Sequence, residues 1–290
     1  NGGEELTKKA IDIFSILKPE FGQNLKAMNQ NNLFDLDSRK GKSPGGYNYP
    51  LEVTGMPFIF MNAAGTQRDV ATMMHEGGHA MHTFLCNEEP LVQYRETPSE
   101  MAETASMSME LMTSPYWDKF YNKEDHIRAR REHLEGIITF FPWCATIDAM
   151  QHWVYLNPKH TVEERDNHFV LLTKRFGSCV NWDGYEHYQR NGWQRQSHIF
   201  GVPFYYIEYG IAQLGALQVY RNFVKNNTTG LDGYIKGLQM GNSKPIPEVW
   251  KHMGIKFDFS ADTIKDLMNF VQEELDELDV DVYVTDEEGS

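Results

Sequence analysis

Cysteine is scarce in this sequence, with 3 in 290 residues, at Cys86, Cys144 and Cys179. They are too few and too scattered for a disulfide framework or a cysteine-built zinc site. A reduced, cytoplasmic setting fits them best. No apolar run approaches the ~20 residues that span a bilayer, so no membrane partner is expected. Basic charge is also short: 27 Lys and Arg face 41 Asp and Glu, for a formal charge of −14. Phosphate backbones need a basic surface, so nucleic acid is not an expected partner. The chain opens Asn1-Gly2-Gly3, without Met or an apolar leader, and reads as a fragment, a processed chain or a trimmed one. What is present suffices for a core. Hydrophobic residues make up 41% and aromatics 13%, against disorder. The length suits one or two domains.

Charge is unevenly spread. Nine acids and no Lys or Arg fill Glu273 to Ser290. That stretch reads as a solvated helix end and an exposed acidic tail. The run Arg128, Arg130, Arg131, His133 sits among acids and reads as a solvated helix face.

Periodicity gives mostly helices. Leu6, Ala10, Ile13, Phe14 and Leu17 mark an amphipathic helix over 4–30, interrupted at Pro19 and Gly22. Asp37 to Pro50 reads as a turn-rich basic loop packed on something larger. Phe58 to Met61 is a short strand-like run. Thr66 to Asn87 reads as a helix with Thr66 or Asp69 near its start. Pro98 to Met112 reads as another, with Thr97-Pro98-Ser99-Glu100 as a capping box and Pro in the first turn. Long stretches after Lys123 and after Phe204 also read helical. The expected fold is mainly α with a small sheet.

The chemistry concentrates in Met73-Met74-His75-Glu76-Gly77-Gly78-His79, an H-E-x-x-H pattern. On a helix, His75 and His79 are one turn apart and project from one face. Two imidazoles so placed can share one zinc ion. Glu76 lies about 100° around the helix, outside the ligand set but within reach of a water in the open position. Gly77 and Gly78 each cost ~1 kcal/mol in a helix interior, which is tolerated where another backbone or a substrate comes close. A catalytic zinc needs a third protein ligand. Glu96, Glu100 and Glu103 are spaced i, i+4, i+7 and would share one helix face. Spacing alone does not choose among them, and those left over could orient a ligand His. His82 is a rival, but it would sit about 10 Å along the axis from His75, too far to share an ion.

Four blocks in order resemble the thimet oligopeptidase and oligoendopeptidase F family of zinc peptidases, nearest the oligoendopeptidase F side. They are SRKGKSPGGYN, PFIFMNAAGTQRDVATMMHEGGHAMHTF, ETPSEMAE and QSHIFGVPFYYIEYGIAQLGAL, and the likeness runs from Asp37 to Leu278. The resemblance implies a zincin-type catalytic domain with a small sheet beside the H-E-x-x-H helix. It would be the catalytic half of a clam-like, mostly helical oligopeptidase about twice this length. Residues 1–272 would form that domain and 273–290 the tail. The family's third ligand is the Glu that begins E-x-P-S-x-x-x-E, which falls on Glu96 here; Glu103 then becomes an outer carboxylate. The resemblance also places a His and Tyr residues of the last block at the zinc and the scissile carbonyl. That points to His198, Tyr205 and Tyr209, with Tyr206 as fallback. Tyr205 and Tyr209 would share a helix face, and a neutral Tyr can hold an oxyanion.

The expected activity is zinc endopeptidase action on short peptides, with one Zn2+ held by His75, His79 and Glu96 and with Glu76 as general base. The strand near Phe58–Met61 would pair with extended substrate. One alternative is an exopeptidase gripping a terminal carboxylate through Arg190 or Arg195. Another is a peptide-binding piece inactive without an N-terminal half.

Overall fold

The computed structural model describes residues 2–177 and 180–287, with side chains described as far as Leu278; Cys179 lies outside the described residues. The chain is mainly helical, with one small sheet. It divides into two compact units, one of residues 1–132 with 212–290, the other of residues 133–211.

The first unit opens with α1 (Gly2–Leu17) and α2 (Pro19–Gln30). The break falls at Pro19, because the residue before a proline is driven out of the helical region; Lys18 is extended, at φ −158°. Ala10, Ile13, Phe14, Phe21, Leu25 and Met28 are buried. Three strands follow: β1 (Phe34–Asp37), β2 (Tyr47–Leu51) and β3 (Met56–Ala63). β3 is central, parallel to β1 and antiparallel to β2. Its alternation buries Ile59 and Met61. β2 lies inside the stretch expected to be loop. It is an edge strand with exposed Tyr47 and Tyr49 and carries Pro50, so neither a buried face nor an unbroken donor row announces it.

Lys42 pins the basic loop between β1 and β2. Its side chain is 1% exposed. Its Nζ donates to the carbonyls of Asp35 and Asp37 and to the Asp35 carboxylate, and lies over the Phe60 ring. The hydrogen bond from Arg39, with help from Lys42, holds the Asp35 carboxyl down at about 2.

Next come α3 (Gln67–Cys86) and α4 (Ser99–Thr113). Pro98 is the N-cap of α4, and no side chain caps it, so the expected Thr97–Glu100 capping box does not form. α5 (Lys123–Leu156) starts in this unit. After the second unit, α9 (Tyr206–Lys225) leads back to α10 (Asn227–Leu238), α11 (Ile246–His252) and α12 (Ala261–Glu287). Leu217, Tyr234, Trp250 and Leu267 extend the core.

α12 runs across the boundary expected at residue 273. Glu274, Leu275 and Leu278 are buried, not part of a solvated tail. Glu274 accepts from the Tyr220 hydroxyl at 2.7 Å and pairs with Arg130 at 3.6 Å. Arg130 therefore leaves the solvated face expected of the 128–133 run, whereas Arg128 stays exposed and pairs with Glu124 and Asp125.

The second unit holds most of α5, then α6 (Val162–Phe176), α7 (Glu186–Asn191), α8 (His198–Gly201) and the first turn of α9. Met150, Phe169, Leu172 and Trp193 form its core, with Trp143 and Phe176 packed against them. Among the described residues, no helix is long and apolar enough to cross a membrane.

Candidate active site

The first unit holds the H-E-x-x-H helix. Its start is fixed by Asp69, whose carboxylate accepts from the backbone N–H of Ala64, Gly65 and Thr66 at 2.7–2.9 Å. Those donors would otherwise be orphans at the end of the turn. With α3 so started, His75 and His79 lie one turn apart, ring centroids 4.8 Å from each other and nearly perpendicular.

The neighbouring helix supplies the carboxylates. Glu103 Oε2 lies 3.3 Å from His75 Nε2 and 3.8 Å from His79 Nε2. Donor atoms of His75, His79 and Glu103 all fall within 4.8 Å of one another, as a shared ion requires. Glu110, two turns further along α4, takes the other face of His75: Nδ1 donates to its Oε1 at 2.6 Å. A carboxylate only accepts, so Nδ1 carries a proton and Nε2 is the nitrogen turned toward Glu103.

What brings α4 this close is Gly78. A Cβ there would stand 2.7 Å from Ser106 Cα and 2.9 Å from Met109 Cβ. At Gly77 a Cβ would meet the Phe14 ring at 2.5 Å. Gly78 thus lets the backbones of α3 and α4 touch, and Gly77 admits the Phe14 ring of α1, close approaches that offset their helix cost. Tyr234 adds a buried hydrogen bond, its hydroxyl donating to Ala105 O at 2.8 Å.

This geometry corrects the expected third ligand. Glu96 is exposed in the turn before α4, and the helix begins only at Ser99. It therefore cannot share a helix face with Glu100 and Glu103, and it lies outside the donor group. In the donor group Glu103 stands where Glu96 was expected, with Glu110 in the outer position expected of Glu103. Glu110 was not anticipated. The signal for this pair was the run Thr104-Ala105-Ser106, small residues able to meet Gly78. His82 is also outside the group; it is buried, and burial pushes its imidazole down to about 3.

Electrostatics follow from burial. Glu76 is 5% exposed, and desolvation pushes its carboxyl up to about 7 against the opposing pull of His75. Its Oε1 lies 3.1 Å from where a Cβ on Gly46 would stand, so the start of β2 walls it in. Its Oε2 is buried with no hydrogen-bond partner among the described residues. Burial and the neighbouring His75 lower His79 to about 4, keeping it neutral. Burial opposes the charged form of His75, yet its hydrogen bonds to Glu103 and Glu110 raise it well above its usual value. Burial likewise opposes ionised Glu103, and His75 and His79 still hold its pKa down. Two imidazole nitrogens, one carboxylate oxygen and an unpartnered buried carboxylate oxygen beside them form a donor set suited to a small dication such as zinc.

The second unit holds the other expected residues. His198 opens α8, and its ring lies 6.1 Å from Tyr205, 5.1 Å from Tyr206 and 5.7 Å from Tyr209. The Tyr205 and Tyr209 rings are 5.3 Å apart. The segment leading into them is strained. Phe204 has φ +64°, which a bulky L residue rarely adopts. It is held by buried Gln151, whose Oε1 accepts from Phe204 N–H at 2.7 Å, and by ring contacts with His152 and Tyr155. Arg190 is exposed on α7, and the Arg195 guanidinium lies 4.1 Å from the centroid of the Trp143 ring.

Comparison with known proteins bears on both units. The model of peptidase family M3 matches residues 8–269. An oligoendopeptidase F homolog of Borreliella burgdorferi is 25% identical over 287 residues, covering 96% of this chain and 48% of that one. The chromosomal oligoendopeptidase F of Lactococcus lactis subsp. cremoris is 24% identical, with 95% and 46% covered. A solved structure of PZ peptidase A with an inhibitor is 30% identical and superposes with a TM-score of 0.88, covering 94% of this chain and 49% of that one. The chain spans about half the length of the curated relatives it matches.

Proposed function

The chain belongs to peptidase family M3, and from that premise we propose that it carries the catalytic apparatus of a zinc endopeptidase acting on short peptides. The supporting observation is the convergence of His75, His79 and Glu103 on one point, with Glu76 on the same helix. These three residues would hold one Zn2+, and Glu110 would keep His75 in the ligating tautomer. Bound there, zinc supplies Lewis-acid chemistry, polarising the peptide carbonyl and acidifying water.

The rest falls to the chain's own groups. Glu76, with its carboxyl pushed up to about 7, is poised to take a proton from the attacking water and return it to the leaving amine nitrogen. Tyr205, Tyr209 and His198 are the donors for the developing oxyanion. β3 is paired on both sides, so extended substrate cannot add to Phe58–Met61 as expected; the free edge of β2 takes that role. Buried Cys86 and Cys144, each pushed up to about 12 by burial, suit a cytoplasmic setting.

Four measurements test this. Glu76→Gln should keep zinc and lose hydrolysis, and retained hydrolysis removes Glu76 from the mechanism. Tyr209→Phe should lower kcat with KM little changed; a change in KM alone makes Tyr209 a binding residue. Amidated and free-acid peptides should both be cut, whereas cleavage of free acids alone would mean an exopeptidase. The same assay on this chain by itself, with its zinc content, separates an enzyme from a binding piece.

A further inference from the structure

Gln196 bridges two side chains of the second unit. Its Oε1 accepts from the Trp143 indole N–H at 3.0 Å, and its Nε2 lies 2.6 Å from His198 Nδ1. An indole nitrogen can only donate, so the amide oxygen must face Trp143. The amide NH2 then faces the imidazole, and it too can only donate. Turned over, the amide would set its NH2 against the indole N–H and lose that bond. His198 Nδ1 is therefore the acceptor, and a proton on Nδ1 would put two donors face to face. The single proton of a neutral imidazole is left on Nε2.

We propose that Trp143 and Gln196 are positioning residues that lock His198 in its Nε2–H form, so that it presents a fixed hydrogen-bond donor rather than a base. The lock works because the Trp143 ring is itself held. Phe169 packs edge-on against it at 6.3 Å, and the Arg195 guanidinium lies over its face at 4.1 Å. Packing sets the direction of the indole N–H, and Gln196 relays that direction to the imidazole. A developing oxyanion needs such a donor; the opposite tautomer would turn a lone pair toward it. This consequence rests on the reading that His198 serves the reaction.

The test is nitrogen-15 NMR of the histidine side chains in the zinc-loaded chain near neutral pH, with the His198 signals assigned by their loss in His198→Ala. The expected result is an unprotonated Nδ1 and a protonated Nε2. In Gln196→Glu the carboxylate accepts from both neighbours, so Nδ1 should gain a proton, and kcat should fall by about 10²–10³ with KM little changed. Trp143→Phe keeps a ring in place but frees the amide, and should give mixed tautomers with an intermediate loss of kcat. The lock is overturned if wild-type His198 carries its proton on Nδ1, or if neither variant moves it. If the tautomer behaves as expected while His198→Ala hydrolyses peptide normally, the lock stands and the role of His198 in the reaction falls.

Discussion

Residues 96–103 and 103–110 spell nearly the same signature twice, Glu-Thr-Pro-Ser-Glu-Met-Ala-Glu and Glu-Thr-Ala-Ser-Met-Ser-Met-Glu, sharing Glu103. On one unbroken helix, seven residues are about two turns, so both copies would present the same face. The helix is not unbroken. Pro98 stands at the N-cap, which leaves Glu96 in an exposed turn. The second copy lies wholly within α4, and its Ala105 and Ser106 sit against Gly78. A pattern of letters thus proposes two ligand sets, and the packing of two helix backbones chooses one.

Exchanging the two copies gives the largest effect. Glu103→Ala should lower peptide hydrolysis by at least ~10²-fold, more than is usual for an outer residue, whereas Glu96→Ala should stay within about 2-fold. Initial rates on a quenched fluorescent peptide measure both. Glu110→Gln comes next. It keeps an acceptor for His75 Nδ1 but removes the charge, and should cost ~10–100-fold in activity or zinc affinity. Gly78→Ala tests the contact that selects the second copy. Overpacking against Ser106 should cost about 1–3 kcal/mol, seen in thermal unfolding, and zinc affinity should fall with it. An unchanged melting temperature would mean that α3 and α4 do not meet as described.

Legibility followed the range of the interactions. His75, Glu76 and His79 were readable because helix geometry alone sets their relation. The break at Pro19 was local in the same way. Glu103 and Glu110 depend on a second helix, so spacing left three candidates open and the family pattern fell on the copy that lies outside the donor group. β2 was invisible because its side chains are mostly exposed. The two units carry no linker signal, since the chain crosses between them inside α5 and again inside α9. Gln151 and Phe204 have no sequence mark at all; their relation is a single tertiary hydrogen bond.

The smallest effect concerns the loop before β2. Asp35, held down at about 2 by Arg39 and Lys42, contributes stability above its unfolded value near 3.8 and loses it as pH falls toward 2. Asp35→Asn should flatten that part of the stability curve, and unfolding midpoints between pH 4 and 2 check it. An identical slope in the variant would take Asp35 out of the acid response.

Zinc binding titrated side by side in Glu96→Gln and Glu103→Gln bears most directly on which carboxylate completes the site. Glu96→Gln should bind one ion with wild-type affinity, and Glu103→Gln should bind far more weakly. Weak binding in Glu96→Gln alongside normal binding in Glu103→Gln would contradict the site described here.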